Sequence, residues 1–172
     1  ERPRMINFCL FGAGRIGKLH ARNIAENPRS RLRYVFDPMA KAAADLARIH
    51  GAKTVADPAA ALADPAIDAV LIASSTSTHV DLLTAAAKAG KAVLCEKPID
   101  LDIKRVDKCL AGLKKHKAPV LIGFKAGIGL VIIVDQLPKL FGAHYPKGTF
   151  GQSLLSLVQS LPGTSLATLA VG

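Results

Sequence analysis

At 172 residues, half of them hydrophobic, the chain is long enough for one domain with its own core and too short for two full ones. The formal charge of +10 invites nucleic acid or an anionic membrane as partner. Yet the basic residues are scattered singly, bunching only at Arg29, Arg31, Arg33 and at Lys114, Lys115, Lys117, and no aromatic residues interleave with them, so most of the charge reads as solvated surface and a nucleic-acid partner is excluded.

Ile6, Phe8, Leu10 and Phe11 make a short apolar run of strand type, followed by Gly12, Gly14 and Gly17 in Gly-x-Gly-x-x-Gly spacing. Ile16, Leu19 and Ile24 then recur at helical spacing, so the glycines fall where a strand turns into a helix. In that context each has a mechanical task. Gly12 allows the tight turn, Gly14 lets backbone approach a pyrophosphate, and Gly17 lets the helix pack close to the strand. The turn Gly12-Ala13-Gly14-Arg15-Ile16-Gly17 is therefore a candidate phosphate cradle, with the helix dipole favouring the anion.

A second strand, Leu32 to Phe36, delivers Asp37 at the expected distance, where a carboxylate accepts both ribose hydroxyls of the adenosine and repels a 2′-phosphate. Pro38 and Met39 follow, with no Arg or Lys, which favours NAD over NADP. Ala40 to His50 reads as a helix with Ala43, Leu46 and Ile49 on one face, stopped by Gly51, and Lys53 to Val55 as a third strand. Asp57-Pro58 has the form of an N-cap with proline in the first turn, opening a helix to Ala63. Ala69 to Ala73 is a continuous apolar run, as expected of a strand covered on both faces.

Ser74 to Thr78 follows at the C-terminal end of that strand, where open α/β sheets bind ligands. Ser74, Ser75 and Thr76 are candidates to reach the cofactor, or to cap the helix from His79 to Ala89. Ala92 to Cys95 makes a fifth strand carrying Glu96-Lys97-Pro98 to the same edge. A helix from Asp102 to Lys117 follows, with Ile103, Val106, Leu110 and Leu113 in one stripe, and Val120 to Phe124 is the sixth strand. The alternation predicts an α/β fold, a doubly wound parallel sheet of Rossmann type in the order 3-2-1-4-5-6.

Cys9, Cys95 and Cys109 are odd in number and lack metal-ligand or Cys-x-x-Cys spacing, so free buried thiols in a reducing cytoplasm are expected, with no metal site. No apolar signal region precedes Met5, which agrees with a cytoplasmic location. His20, on the first helix, reads as a packing residue.

Three stretches, Gly-Ala-Gly-Arg-Ile-Gly-Lys-Leu-His at 12–20, Ser-Thr-Ser-Thr-His at 75–79 and Cys-Glu-Lys-Pro-Ile-Asp-Leu-Asp at 95–102, carry a resemblance. Residues 5–124 resemble the N-terminal NAD-binding domain of the glucose–fructose oxidoreductase/inositol dehydrogenase family, and within it the myo-inositol 2-dehydrogenases. The resemblance implies hydride transfer from a secondary alcohol of a cyclic polyol to NAD; the polyol is the expected partner, and a homo-oligomer is left open. It implies that Lys97 is the catalytic group contacting the substrate hydroxyl, that Glu96 lines the nicotinamide side and that His79 lies along the cofactor edge. At the end of a buried strand, beside a cationic nicotinamide, Lys97 is expected to release its proton readily.

The family's second domain, with a catalytic histidine and aspartate, has no counterpart after Gly123-Phe124. Beyond residue 125 only Lys139, Lys147 and Asp135 are charged, a composition shift that marks a boundary. Gly-Leu-Val-Ile-Ile-Val-Asp-Gln-Leu-Pro-Lys-Leu-Phe-Gly at 129–142 and Ser-Leu-Pro-Gly-Thr-Ser-Leu-Ala-Thr-Leu-Ala-Val-Gly at 160–172 resemble a piece of a sulfate permease-type anion transporter. The tail is thus an apolar appendage at 125–172, and the whole a chimeric or truncated chain. The run Ala126 to Val134 is nine residues, short of the roughly 20 a spanning helix needs. Membrane association is accordingly disfavoured. A non-catalytic dinucleotide-binding module is the rival reading.

Overall fold

The structure is a computed structural model that describes residues 5–116 and 118–123; Lys117, Phe124 and the 125–172 appendage of the sequence reading lie outside the described residues. In chain order the elements are β1 (Ile6–Phe11), α1 (Arg15–Glu26), β2 (Ser30–Phe36), α2 (Ala40–Ile49), β3 (Lys53–Thr54), α3 (Pro58–Ala63), β4 (Ala69–Ile72), a 3-10 turn (Thr76–Thr78), α4 (His79–Lys88), β5 (Ala92–Cys95), α5 (Ile103–Leu113) and β6 (Val120–Ile122). All strand pairs are parallel and the sheet runs β3-β2-β1-β4-β5-β6, the order expected of a doubly wound fold.

The alternation of strand side chains sorts the core into two layers. Cys9, Phe11, Val70, Ile72, Val93 and Cys95 point to one face, where Leu83, Ala86, Cys109 and Leu113 of α4 and α5 cover them. Leu10, Leu71, Leu32 and Val35 point to the other, where Ala21 and Ile24 of α1 and Ala43, Leu46 and Ala47 of α2 close the layer. Central strands covered on both faces must be apolar throughout, and β4 (Ala-Val-Leu-Ile) is buried at every position.

Helix ends follow their local chemistry. Asp57 accepts the Ala60 amide at 2.9 Å with Pro58 in the first turn, and Asp102 accepts the Lys104 amide at 2.9 Å. The inward faces differ from those read off the large residues. Leu19, Ile49 and Ile103 are exposed, at 45%, 64% and 69%. Gly17, Ala21 and Ile24 face the sheet in α1, Ala43, Leu46 and Ala47 in α2, and Cys109 and Leu113 in α5. Small residues let these helices lie close to the strands, which turns the bulkier ones outward.

The three cysteines are free and buried. Burial pushes the Cys9 thiol far up, and lifts Cys95 to about 12. Iodoacetamide at mildly alkaline pH should therefore leave Cys9 and Cys95 unmodified in the folded chain and alkylate both once urea unfolds it. Rapid modification of either in the native chain would contradict this packing.

Candidate functional site

The candidate residues converge because β1, β4 and β5 are adjacent and parallel, so the loops that leave them open onto one edge of the sheet. β1 ends at Phe11, and the chain turns at Gly12 with φ +105°. A Cβ at Gly12 would strike the Ala73 carbonyl and Ser74 amide after β4, and one at Gly17 would strike the Gly12 carbonyl. These two glycines thus hold strand, turn and helix in close backbone contact. Gly14 is different. Among the described residues a Cβ there would meet nothing within 4 Å, so they leave the turn open on that side.

Gly14 also stands at the N-cap of α1 in extended backbone, with no side-chain cap and no acidic residue in the first turn. The amides of Arg15, Ile16 and Gly17 have no acceptor within the helix itself. Open space, bare amides and an uncompensated dipole end fit a diphosphate. Ala13 is buried beneath the turn.

Asp37, just past β2, comes to the same turn. One carboxylate oxygen accepts the Ala13 amide at 2.7 Å and the other accepts the Met39 amide at 2.8 Å. A carboxylate has room for about four donors, so it can keep both amides and still accept ribose hydroxyls. The candidate phosphate turn and the candidate ribose acid are thus joined by one hydrogen bond.

The loop after β4 is tied to itself. The Ser74 and Thr78 hydroxyls lie 2.7 Å apart, and Thr78 donates to the Ser75 carbonyl at 2.7 Å. Among the described residues no side chain caps the 3-10 turn or α4, so the capping alternative for these hydroxyls is not taken up. Ser75 is exposed and Thr76 half-buried. His79, at the start of α4, is 1% exposed, with Nδ1 at 2.8 Å from the Pro98 carbonyl and Nε2 at 3.0 Å from the Ser74 carbonyl. Its ring braces the loop after β4 against the loop after β5. Both neighbours are carbonyls, which only accept, so both contacts are hydrogen bonds together only when each ring nitrogen carries a proton.

The loop after β5 carries Glu96 and Lys97, with a cis Lys97–Pro98 bond. Lys97 follows the buried strand β5, as expected, but its own side chain is exposed. Glu96 points back under the edge. His20 Nε2 donates to it at 2.7 Å, with side-chain exposures of 13% for His20 and 21% for Glu96. That bond holds the Glu96 carboxyl below its usual range against the opposing effect of burial, and the Lys97 amide and charge add to it. His20, read from the sequence as a packing residue, also makes a polar contact with Glu96 that the sequence did not foretell. Its signal was position, three residues beyond Gly17, which brings it round to the helix face turned to the sheet.

A carboxylate whose folded pKa is depressed stabilises fully above its unfolded value of about 4.3, and that stabilisation is lost as pH falls through the folded value. Urea melts of Glu96→Gln should show a deficit against the parent near neutral pH that shrinks below about pH 4. A deficit that stays constant into acid would contradict the bond.

Among the described residues no cluster of His, Cys, Asp and Glu could hold a metal, and no helix is long and apolar enough to cross a membrane.

Six parallel strands in this order, with a glycine turn and an acid meeting beside the first strand, define a dinucleotide-binding domain of the doubly wound class. Residues 6–124 match the oxidoreductase family with an NAD-binding Rossmann fold, and the chain belongs to that family. It is 46% identical over 120 residues to an inositol 2-dehydrogenase of Rhizobium meliloti, covering 69% of this chain and 36% of that one. The crystal structure of a myo-inositol dehydrogenase from Corynebacterium glutamicum matches with TM-score 0.65 and 46% identity over 69% of this chain and 36% of the other. A scyllo-inositol dehydrogenase from Lactobacillus casei, with bound NAD(H) and scyllo-inositol, matches with TM-score 0.66 and 28% identity over 70% and 36%. The chain spans about a third of the length of the curated relatives it matches. Residues 116–172 match the sulfate permease family.

Proposed function

We propose that residues 5–124 hold NAD along the sheet edge formed by the ends of β1, β2, β4 and β5, and that the reaction this domain serves is oxidation of a secondary alcohol of a cyclic polyol of the inositol type. The bond between the Asp37 carboxylate and the Ala13 amide is the observation that carries the reading, since it sets the ribose acid on the phosphate turn. In it, the amides of Gly14 to Gly17 face the diphosphate and Asp37 accepts the ribose hydroxyls. Ser74, Ser75 and Thr76 border the cofactor from the loop after β4, and His79 holds that loop in place from below. When bound, NAD would supply an acceptor for hydride. Lys97, as the neutral amine, would take the proton from the oxygen of the substrate hydroxyl while the carbon bearing that hydroxyl gives up hydride, and Glu96 would wall the nicotinamide side.

Relatives three times as long support a second element of the reading: the domain alone binds cofactor but orients the polyol weakly. Three buried free thiols support a reducing, cytoplasmic setting. In this reading the boundary between dehydrogenase-like and permease-like sequence lies at residue 124, and the two family matches, which overlap at 116–124, support it. The test is NADH formation with myo-inositol or scyllo-inositol by this chain and by Lys97→Ala. The reading expects slow oxidation that Lys97→Ala lowers about a hundredfold or more. Rapid turnover would refute the weak orientation, and a residual rate indifferent to Lys97→Ala would refute the role of Lys97 and favour a binding module.

A further inference from the structure

The loop that presents Lys97 is pinned on both sides of it. Before it, the Glu96 carboxylate is taken by His20 of α1 at 2.7 Å, and backs onto Gly123 so closely that a Cβ there would stand 3.3 Å from its oxygen. After it, the Pro98 carbonyl meets the His79 ring at 2.8 Å. Lys97 itself is exposed.

The neighbouring Lys97 carries a charge that favours the ionised form of Glu96. A flexible four-carbon stem at the surface could swing its amine onto that carboxylate, and a lysine so paired is a poorer proton acceptor. What keeps them apart is where the carboxylate is held: its capacity is not exhausted, but the imidazole on α1 fixes it at 2.7 Å with its side chain only 21% exposed, while Lys97 is exposed.

We propose that His20 is a positioning residue: by holding the Glu96 carboxylate it keeps that group from pairing with Lys97 and leaves the Lys97 amine to the substrate. The proposal rests on the assignment of Lys97 to the substrate side of the site.

The test reads the freedom of the Lys97 amine without requiring turnover. This chain is acylated briefly with an amine-directed ester near neutral pH, and labelling of Lys97 is compared by mass spectrometry with that of Lys88, which is exposed on α4. His20→Leu should lower the Lys97:Lys88 ratio about two- to fivefold, the span an exposed lysine–carboxylate pair supplies. His20→Gln, which keeps a donor, should restore most of it. Glu96→Gln placed in the His20→Leu chain should restore it too, because a neutral amide cannot capture the amine. Should His20→Leu lose the parental circular dichroism, His20→Asn, whose side chain is too short to reach Glu96, takes its place. An unchanged ratio in a folded variant, or a loss that Glu96→Gln fails to reverse, overturns the proposal. Titration of the parent chain with NAD judges the underlying reading separately. A chain that binds no NAD yet shows the expected ratios removes the substrate role and leaves the His20–Glu96 arrangement standing.

Discussion

Gly12→Ala is expected to cost the chain on the order of 3 kcal/mol of stability and nearly all of its NAD affinity. Two independent effects add. At φ +105° an L side chain is strained whatever the space around it. The space is also filled: the new methyl would sit on the Ala73 carbonyl and the Ser74 amide, backbone atoms that cannot rotate away as a side chain would. Relief requires β1 to part from the loop after β4, next to the Ala73 amide that donates to Phe11 at 2.8 Å. Against a typical stability of about 5–15 kcal/mol, the chain should stay folded but melt early. Gly14→Ala is the control. Its φ of −70° suits alanine and its Cβ meets nothing within 4 Å, so stability should hold or rise by about 0.4–1 kcal/mol while NAD affinity falls, because the methyl enters the open side of the turn. Urea melts paired with NAD titration read both quantities. Equal stability loss in the two variants would contradict the geometry of the turn.

Asp37→Ala should weaken NAD binding by about ten- to a hundredfold, as expected for loss of hydrogen bonds to a charged acceptor at about 1.5–3 kcal/mol. Discrimination against NADP should shrink at the same time, because the carboxylate that repels a 2′-phosphate is gone. The substitution also strips acceptors from the Ala13 and Met39 amides, so a modest loss of stability accompanies it. Asp37→Asn is expected to lie between, since one oxygen can still accept one amide while the amide group donates where the acid accepted. Calorimetric titration with NAD and NADP separates the cases. An NAD affinity unaltered by Asp37→Ala would remove the acid from the site.

The fold was legible wherever the chain's periodicity and punctuation agreed. The uniformly apolar Ala69–Ile72, the Asp57-Pro58 cap and the glycine turn each name one local structure, and parallel crossovers leave little choice of order. Helix faces were less legible because hydrophobicity marks large residues, whereas contact with a sheet selects small ones. Hence Leu19 and Ile49 lie outside while Ala21 and Ala47 lie inside. At the site, glycines and Asp37 could be read because spacing along the chain encodes their meeting. His20 and Glu96 are 76 residues apart, and nothing local to either announces the other. The same is true of His79, whose two partners, Ser74 and Pro98, belong to loops after different strands.

The central claim is that amides at the glycine turn and the carboxylate of Asp37 form one cofactor site. Backbone amide correlation spectra of the isotopically labelled chain, recorded as NAD is added, test it most directly. The account predicts saturable shifts concentrated at Gly12 to Gly17 and at Asp37 to Met39, including the Ala13 amide that the carboxylate already holds. Spectra unmoved by millimolar NAD, or moved only at residues away from that sheet edge, would contradict it.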